Sequence, residues 1–297
     1  MTGVDTEDLL AEGERATFHG APRPAIELLE RALATGLDAP SASRARWLLG
    51  VARSTAGLLS SAIAGLQASL DDAGPLQAEM AATVAAVHRQ LDDHRAALDW
   101  DQRAAALARD LGAHDPWPAL GLAADAIGLD DAKAAAEHLA EAEPLVERAA
   151  RWRARLRHDA LSAQLDLLAG RTGAAVTRAG ALVAEAERMV APATVAQALL
   201  LEGAARAQLR DELALLVLGR AAALAGTLEA APVAWPAHAL LAAIQAGRGQ
   251  PEAAVASLAG AGRWVATIAA DLPEPARARW LARPQIAAIL AAGDRPA

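Results

Sequence analysis

The 297-residue chain contains no cysteine, tyrosine or asparagine, one phenylalanine (Phe18) and one lysine (Lys133). The first absence removes disulfides, a thiolate nucleophile and cysteine-ligated zinc. The scarcity of lysine is as restrictive. A P-loop needs Gly-Lys-Ser/Thr to cradle phosphates, and Ala132 precedes Lys133. Only that residue could form a Schiff base. An excess of positive charge is also missing: the formal net charge of −8 argues against non-specific nucleic-acid binding, which relies on neutralising phosphates. Residues Met1 to Asp8 lack the basic segment and apolar core of a signal peptide, so a cytoplasmic location is expected. From Ala221 to Gly247 the one formal charge is Glu229, yet Pro232 and Pro236 interrupt the stretch and alanine outnumbers leucine. It reads as two packed helices and not as a membrane span. Alternating β-branched residues are scarce too, and alanine, the strongest helix former, dominates. The chain is expected to be all-α.

What is present is a repeat. Gly13, Ala16, Gly20, Ala25, Ile26, Ala32 and Leu33 are answered by Gly50, Gly57, Ala62, Ile63, Ser69 and Leu70. The small residue opening the second half of each unit recurs at Ala25, Ala62, Ala97, Ala135, Ala175, Leu215 and Ala254, every 35 to 40 residues. Such a period marks a stack of helical hairpins, each burying its apolar face against its neighbours.

The turns repeat as well. Gly20, Gly57, Asp92, Asp130, Gly170, Arg210 and Gly249 fall between the helices of each hairpin, where glycine accommodates a left-handed stop and aspartate caps the second helix. Asp5 is placed to cap the first helix. Pro40, Pro75, Pro116, Pro192, Pro232 and Pro273 punctuate the joins between units. The proline expected between the fourth and fifth units is absent, and Leu145 to Leu168 carries no breaker. A long helix starting at Pro144, or kinked there, is expected. After Leu272-Pro-Glu-Pro275, short helices presenting Trp280, Ile286, Ile289 and Leu290 inward form a cap.

This pattern, with Gly13, Gly20, Ala25 and Ala32 in the first unit and Gly50, Gly57, Ala62 and Ser69 in the second, resembles the tetratricopeptide repeat (TPR). Later units resemble it through pairs such as Ala97 with Ala104 and Ala135 with Ala142. The aromatic of the eleventh repeat position is replaced by Ala16, Arg53 and His88. The closing run from Leu272 to Leu290 is similar to the degenerate arrays of bacterial signalling ATPases and transcriptional activators. The resemblance implies an all-α, right-handed α-solenoid of about seven TPR-like hairpins with a C-terminal capping helix. Its units fall at about 5–36, 42–72, 77–110, 115–143, 144–190, 193–229 and 233–271, with the cap at 272–292.

The same phase places Arg44, Trp47, Glu79, Arg89, Gln90, Trp117, Leu120, Arg157 and Gln164 on the concave groove, with Glu14 and Phe18 beside them. There, arginine and glutamine could meet a peptide backbone and its carboxylates, and tryptophan an apolar anchor. Of the five arginines from 148 to 157, Arg148, Arg151 and Arg155 fall on one helix face at i, i+3 and i+7, a candidate anion patch if it is not simply a solvated face. No histidine pair has zinc-protease spacing. The pairs Asp71-Asp72, Asp92-Asp93 and Asp130-Asp131 lack a third carboxylate one turn on and read as turn caps.

No catalytic set, cofactor motif or metal motif emerges. The sequence therefore points to a non-catalytic scaffold holding a protein or peptide in its groove. The alternative is a ligand- or peptide-sensing regulator acting on a transcriptional or signalling partner. Neither direct nucleic-acid binding nor membrane insertion is expected.

Overall fold

The computed structural model describes residues 6–293, so the cap expected at Asp5 lies outside the described residues. Those residues form α-helices and one 3-10 turn (Gly74–Leu76), with no strand among them. The helices come in hairpins. They are α1 (Thr6–His19) with α2 (Pro22–Ala34), α3 (Ala39–Ala56) with α4 (Leu59–Ser69), and α5 (Gln77–Gln90) with α6 (His94–Asp110). Next come α7 (Trp117–Gly128) with α8 (Ala132–Ala149), and α9 (Trp152–Leu168) with α10 (Thr172–Arg188). Then α11 (Pro192–Gln208) pairs with α12 (Ala214–Thr227), and α13 (Ala231–Gly247) with α14 (Pro251–Asp271). The short helices α15 (Ala276–Leu281) and α16 (Pro284–Gly293) come last. Each helix of the hairpins packs on its neighbours in sequence, and successive odd-numbered helices also touch one another. The odd helices are thus the inner layer of a curved array.

Close approach explains the small residues. A Cβ on Gly50 would stand 2.5 Å from Leu66 Cδ2, and one on Gly203 2.5 Å from Leu218 Cγ. Both leucines are fully buried, each contributing about 1.5–3 kcal/mol of burial. Ala25, Ala62 and Ala175 have no exposed surface, as their repeat position requires. In the sixth pair Ala214 is buried and Leu215 only half-buried, so the register there is shifted by one residue.

Helix stops keep a second rhythm. Gly57, Asp92, Asp130, Gly170, Arg210 and Gly249 all have positive φ, as do Gly36, Gly74, Gly112, Ala150, Val190 and Glu229 at the other set of joins. In the turns at Asp92 and Asp130 it is the next residue that caps: Asp93 accepts from Ala96 N–H and Asp131 from Ala134 N–H. Asp71 and Asp72 cap nothing through their side chains. Asp71 instead lies 3.7 Å from Arg103, and the Asp71 and Asp72 carbonyls accept from Gln77 and Ser43.

The long helix expected from Pro144 does not form. Pro144 lies inside α8, which runs on to Ala149, and Ala150 (φ 49, ψ 24) ends it in the left-handed conformation. An alanine there costs roughly 1–2 kcal/mol. Packing of α8 and α9 on α7 overrides the local preference.

The array also closes on itself. Helix α1 meets α11, α3 meets α13 and α4 meets α14. Asp271, the last residue of α14, accepts from Ser60 N–H (2.6 Å), Ser61 N–H (3.1 Å) and Ser61 Oγ (2.5 Å) at the start of α4. Arg23 pairs with Glu229 at 3.0 Å, and His19 Nδ1 lies 3.0 Å from the Val190 carbonyl. Leu59, Ala62 and Val87 share one apolar cluster with Ala231, Val265, Ile268, Trp280, Ile286 and Ile289. The C-terminal helices therefore bridge the two ends of the array as well as covering its last pair, and Arg283 donates to the Leu91 carbonyl. Helix α14 is long and apolar enough to cross a membrane, but α4, α13 and α16 pack on it.

Candidate functional site

Arg153, in the first turn of α9, lies at the centre of the inner layer. Its guanidinium carbon is 4.2 Å from the Phe18 ring centre, 5.2 Å from Trp47 and 5.7 Å from Trp117, so α1, α3 and α7 each supply one aromatic face. Phe18 and Trp47 also pack at a tilt of 48°, their centres 6.2 Å apart. Trp47 is buried and donates from Nε1 to Thr83 Oγ1 (3.0 Å). Beside the rings, Glu79 accepts from Arg151 at 2.9 Å and Asp115 accepts from Trp117 N–H at 3.3 Å. Burial raises the pKa of both carboxyls, while Arg151 and Arg153 oppose the rise. Burial lowers that of Arg153, with Glu79 opposing.

One turn on along α9, beside Arg157, is an ionic cluster. Arg89 donates to Asp101 and, at 2.8 Å, to Asp125. Asp101 has no exposed surface and Asp125 almost none. Burial pushes the Asp101 carboxyl up to about 7, although Arg89 is its direct partner. Arg89 moves the other way from a lone buried base: burial pulls its pKa down and the two carboxylates more than restore it. Arg157 is pushed down to about 10 by burial and then by Arg89.

Several polar atoms around this cluster are buried without a hydrogen-bond partner: Arg89 Nε, Gln90 Oε1 and Trp117 Nε1, while the Asp101 and Asp125 carboxyls hydrogen-bond each other. Unpaired buried polar atoms are rare in folded proteins, and here two donors and an acceptor collect on facing stretches of α5 and α7.

The expected groove residues therefore come together only in part. Trp47, Glu79 and Trp117 come together around Arg151 and Arg153, Arg89 and Arg157 lie in the ionic cluster beside them, and Leu120 is buried beside Trp117 on α7. Gln90 donates to Ser54 (2.8 Å). Arg44 is exposed at the margin, clamping Glu14 with two 2.7 Å bonds, and Gln164 is half-buried farther along α9. The patch of Arg148, Arg151 and Arg155 does not form as one helix face. The stop at Ala150 puts Arg148 on α8 and Arg155 on α9, both exposed, and Arg151 just before α9 on Glu79.

Sequence reasoning missed Arg153, Asp101, Asp125 and Asp115. Asp101 left a trace: it interrupts the buried stripe Ala97, Ala104, Ala108 of α6. Arg153 left none, because its face depends on where α9 starts. Among the described residues no group of three His, Asp or Glu is placed to hold a metal ion.

No protein-family model matches this sequence, and no characterised protein matches it by sequence. Solved structures do match its fold. A Rap protein complexed with competence and sporulation factor aligns over 98% of this chain and 88% of its own, with TM-score 0.64 and 11% identity. NprR in complex with its cognate peptide NprX aligns over 100% and 91%, with TM-score 0.58 and 14% identity. A signal transduction ATPase with numerous domains, carrying a tetratricopeptide repeat sensor and from Pyrococcus horikoshii, aligns over 95% of this chain and 43% of its own, with TM-score 0.60 and 13% identity. All three are TPR-type helical arrays. This chain has the same all-α solenoid fold.

Proposed function

We propose that this chain is a non-catalytic regulatory scaffold that binds an extended peptide on the inner face of its array. The observation that carries this is the set of unpaired polar atoms on α5 and α7, Arg89 Nε, Gln90 Oε1 and Trp117 Nε1, on the side of the array where the rings of Trp47 and Trp117 lie. A peptide backbone offers one acceptor and one donor per residue, and can satisfy both kinds at once. Two of the structural neighbours are complexes with a factor or cognate peptide, which supports the reading by fold. The contacts between the two ends of the array favour the sensing form of this function. A ligand entering between α1 and α9 must disturb the stacking of His19 on Trp152 (5.6 Å) and of Arg153 on Phe18, which links occupancy to shape.

The test is capture of peptides on the immobilised protein from extract of the native cell, identification by mass spectrometry, and calorimetry with the synthetic peptide. Gln90→Ala and Trp117→Ala should each weaken binding at least tenfold, with helicity unchanged by circular dichroism. Trp47 and Arg89 also hold the fold and are left intact. Unaltered affinity in both variants would remove the inner face as the site.

A further inference from the structure

The even-numbered helices form the outer layer, and their exposed faces differ. Arg95, Asp99 and Arg103 stand exposed on α6, and Lys133, Glu137 and Glu141 on α8. On α14 the exposed stripe is apolar, made of Val255, Ala256, Ala259, Ala266 and Ala270, with Glu252 and Arg263 as its charges. Nearby, Leu213 is exposed just before α12, followed on that helix by Leu216, Arg220 and Ala223. Leu216 and Val255 protrude, 63% and 57% exposed. Between α12 and α14 runs an open trough of about 390 Å³, lined by Gly219, Ala222, Ala223 and Gly226 on one side and by Ala256 and Ser257 on the other. Protruding apolar side chains beside a trough of small residues mark a protein contact.

The charges and the shape of this face complement each other in one arrangement. Glu252 and Arg263 lie about three turns apart on one side of α14, and neither has an ion-pair partner among the described residues. Pairing two copies of α14 antiparallel, about a two-fold axis between positions 257 and 258, sets Glu252 of each opposite Arg263 of the other. That axis lies in the contact plane and runs across the helices, so it pairs α12 with α12 as well. Ala214 of α12 and Ala254 of α14 hold equivalent buried positions in their hairpins, which carries the axis to between positions 217 and 218 of α12. There it sets Leu216 opposite Gly219 and Leu213 opposite Ala222, while Val255 comes beside Ala259. Each protruding side chain meets a small one. The charges on α14 and the relief of α12 thus require the same axis.

We infer that the outer faces of α12 and α14 are an interface between two copies of this chain, related by that two-fold axis. A two-fold contact uses one patch twice, so the patch must complement itself. Two neighbouring helices, about 20 Å across and about 30 Å long, offer about 600 Å² per copy, at the lower end of stable interfaces. The charge of −8 on each copy opposes association at long range. Within the α14 stripe, however, one acid balances one base, and their crossed pairing fixes the register more than the affinity. The interface lies on the layer opposite the inner face and does not depend on the peptide reading.

The experiment is sedimentation equilibrium of the full chain over a wide range of concentration. Wild type should pass from the mass of one chain to that of two as concentration rises. Leu216→Asp, at a position the single copy leaves exposed, should stay at the mass of one chain with unchanged helicity. Glu252→Arg and Arg263→Glu each set like charges against one another at both contacts, and each should weaken pairing at least tenfold. Mixed together, those two variants should pair about as tightly as wild type, because both contacts then join opposite charges. Wild type that keeps the mass of one chain at every concentration would overturn the interface, whatever other protein covers the face. Pairing that survives Leu216→Asp would overturn it too. Single charge variants that pair like wild type, or a mixture that fails to pair, would overturn the two-fold arrangement.

Discussion

Replacing Asp271 with alanine should loosen a helix that begins more than 200 positions earlier in the chain. The Asp271 carboxylate supplies the cap that α4 lacks locally, because Leu58 stands at its N-cap position with no side-chain bond. Three bonds are lost in the variant, from Ser60 N–H, Ser61 N–H and Ser61 Oγ. Exposed caps contribute about 0.5–2 kcal/mol, and hydrogen bonds to a charged group about 1.5–3 kcal/mol. The site is half-buried, so the upper part of the capping range applies. One term opposes: Asp271 ends α14, where the helix dipole disfavours a negative charge by about 0.3–1 kcal/mol. The net expectation is a loss of about 1–1.7 kcal/mol, against about 1 kcal/mol for removing the local cap Asp131. Urea unfolding of Asp271→Ala and Asp131→Ala measures the difference. Hydrogen exchange then locates it, with faster exchange at Ser60 and Ser61 in the first variant alone. Equal losses in the two variants, with exchange at Ser60 and Ser61 unchanged, would show that the ends of the array are not coupled through this contact.

Three other outcomes are expected. Gly50→Ala should cost about 1–3 kcal/mol by overpacking against Leu66, read as a lower urea midpoint; a neutral result would contradict the close approach of α3 and α4. Ala150→Gly should stabilise the fold by roughly 0.5–1 kcal/mol, because the relief of left-handed strain exceeds the added freedom of the unfolded chain, and a lower melting temperature would count against that balance. For Asp101, burial sets the folded pKa at about 7, above the ordinary aspartate value of 3.8, so the native state binds the extra proton between these limits. Wild type should therefore lose stability relative to Asp101→Asn as pH rises from about 4 to about 7. A difference that stays flat across that window would mean that Arg89 keeps the carboxylate ionised throughout.

The hairpins, their order and most of their turns are legible in the chain alone, since they depend on contacts between residues close in sequence. Gly50 meets Leu66 one hairpin arm away, and the glycines of the turns are read by backbone geometry. The repeat phase likewise assigns Trp47, Glu79 and Trp117 to the odd-numbered helices, where they lie around Arg151 and Arg153. Three features arise only from packing between helices. Ala150 stops a helix that its own preference would continue, and that stop turns Arg153 and Arg157 inward while leaving Arg148 and Arg155 in water. Asp101 and Asp125 are held inside by Arg89, from another helix, against the cost of burying charge. The ends of the array meet through Asp271 and Arg283, whose partners no local pattern names. Each of these balances a local cost against contacts that exist only once distant helices have packed.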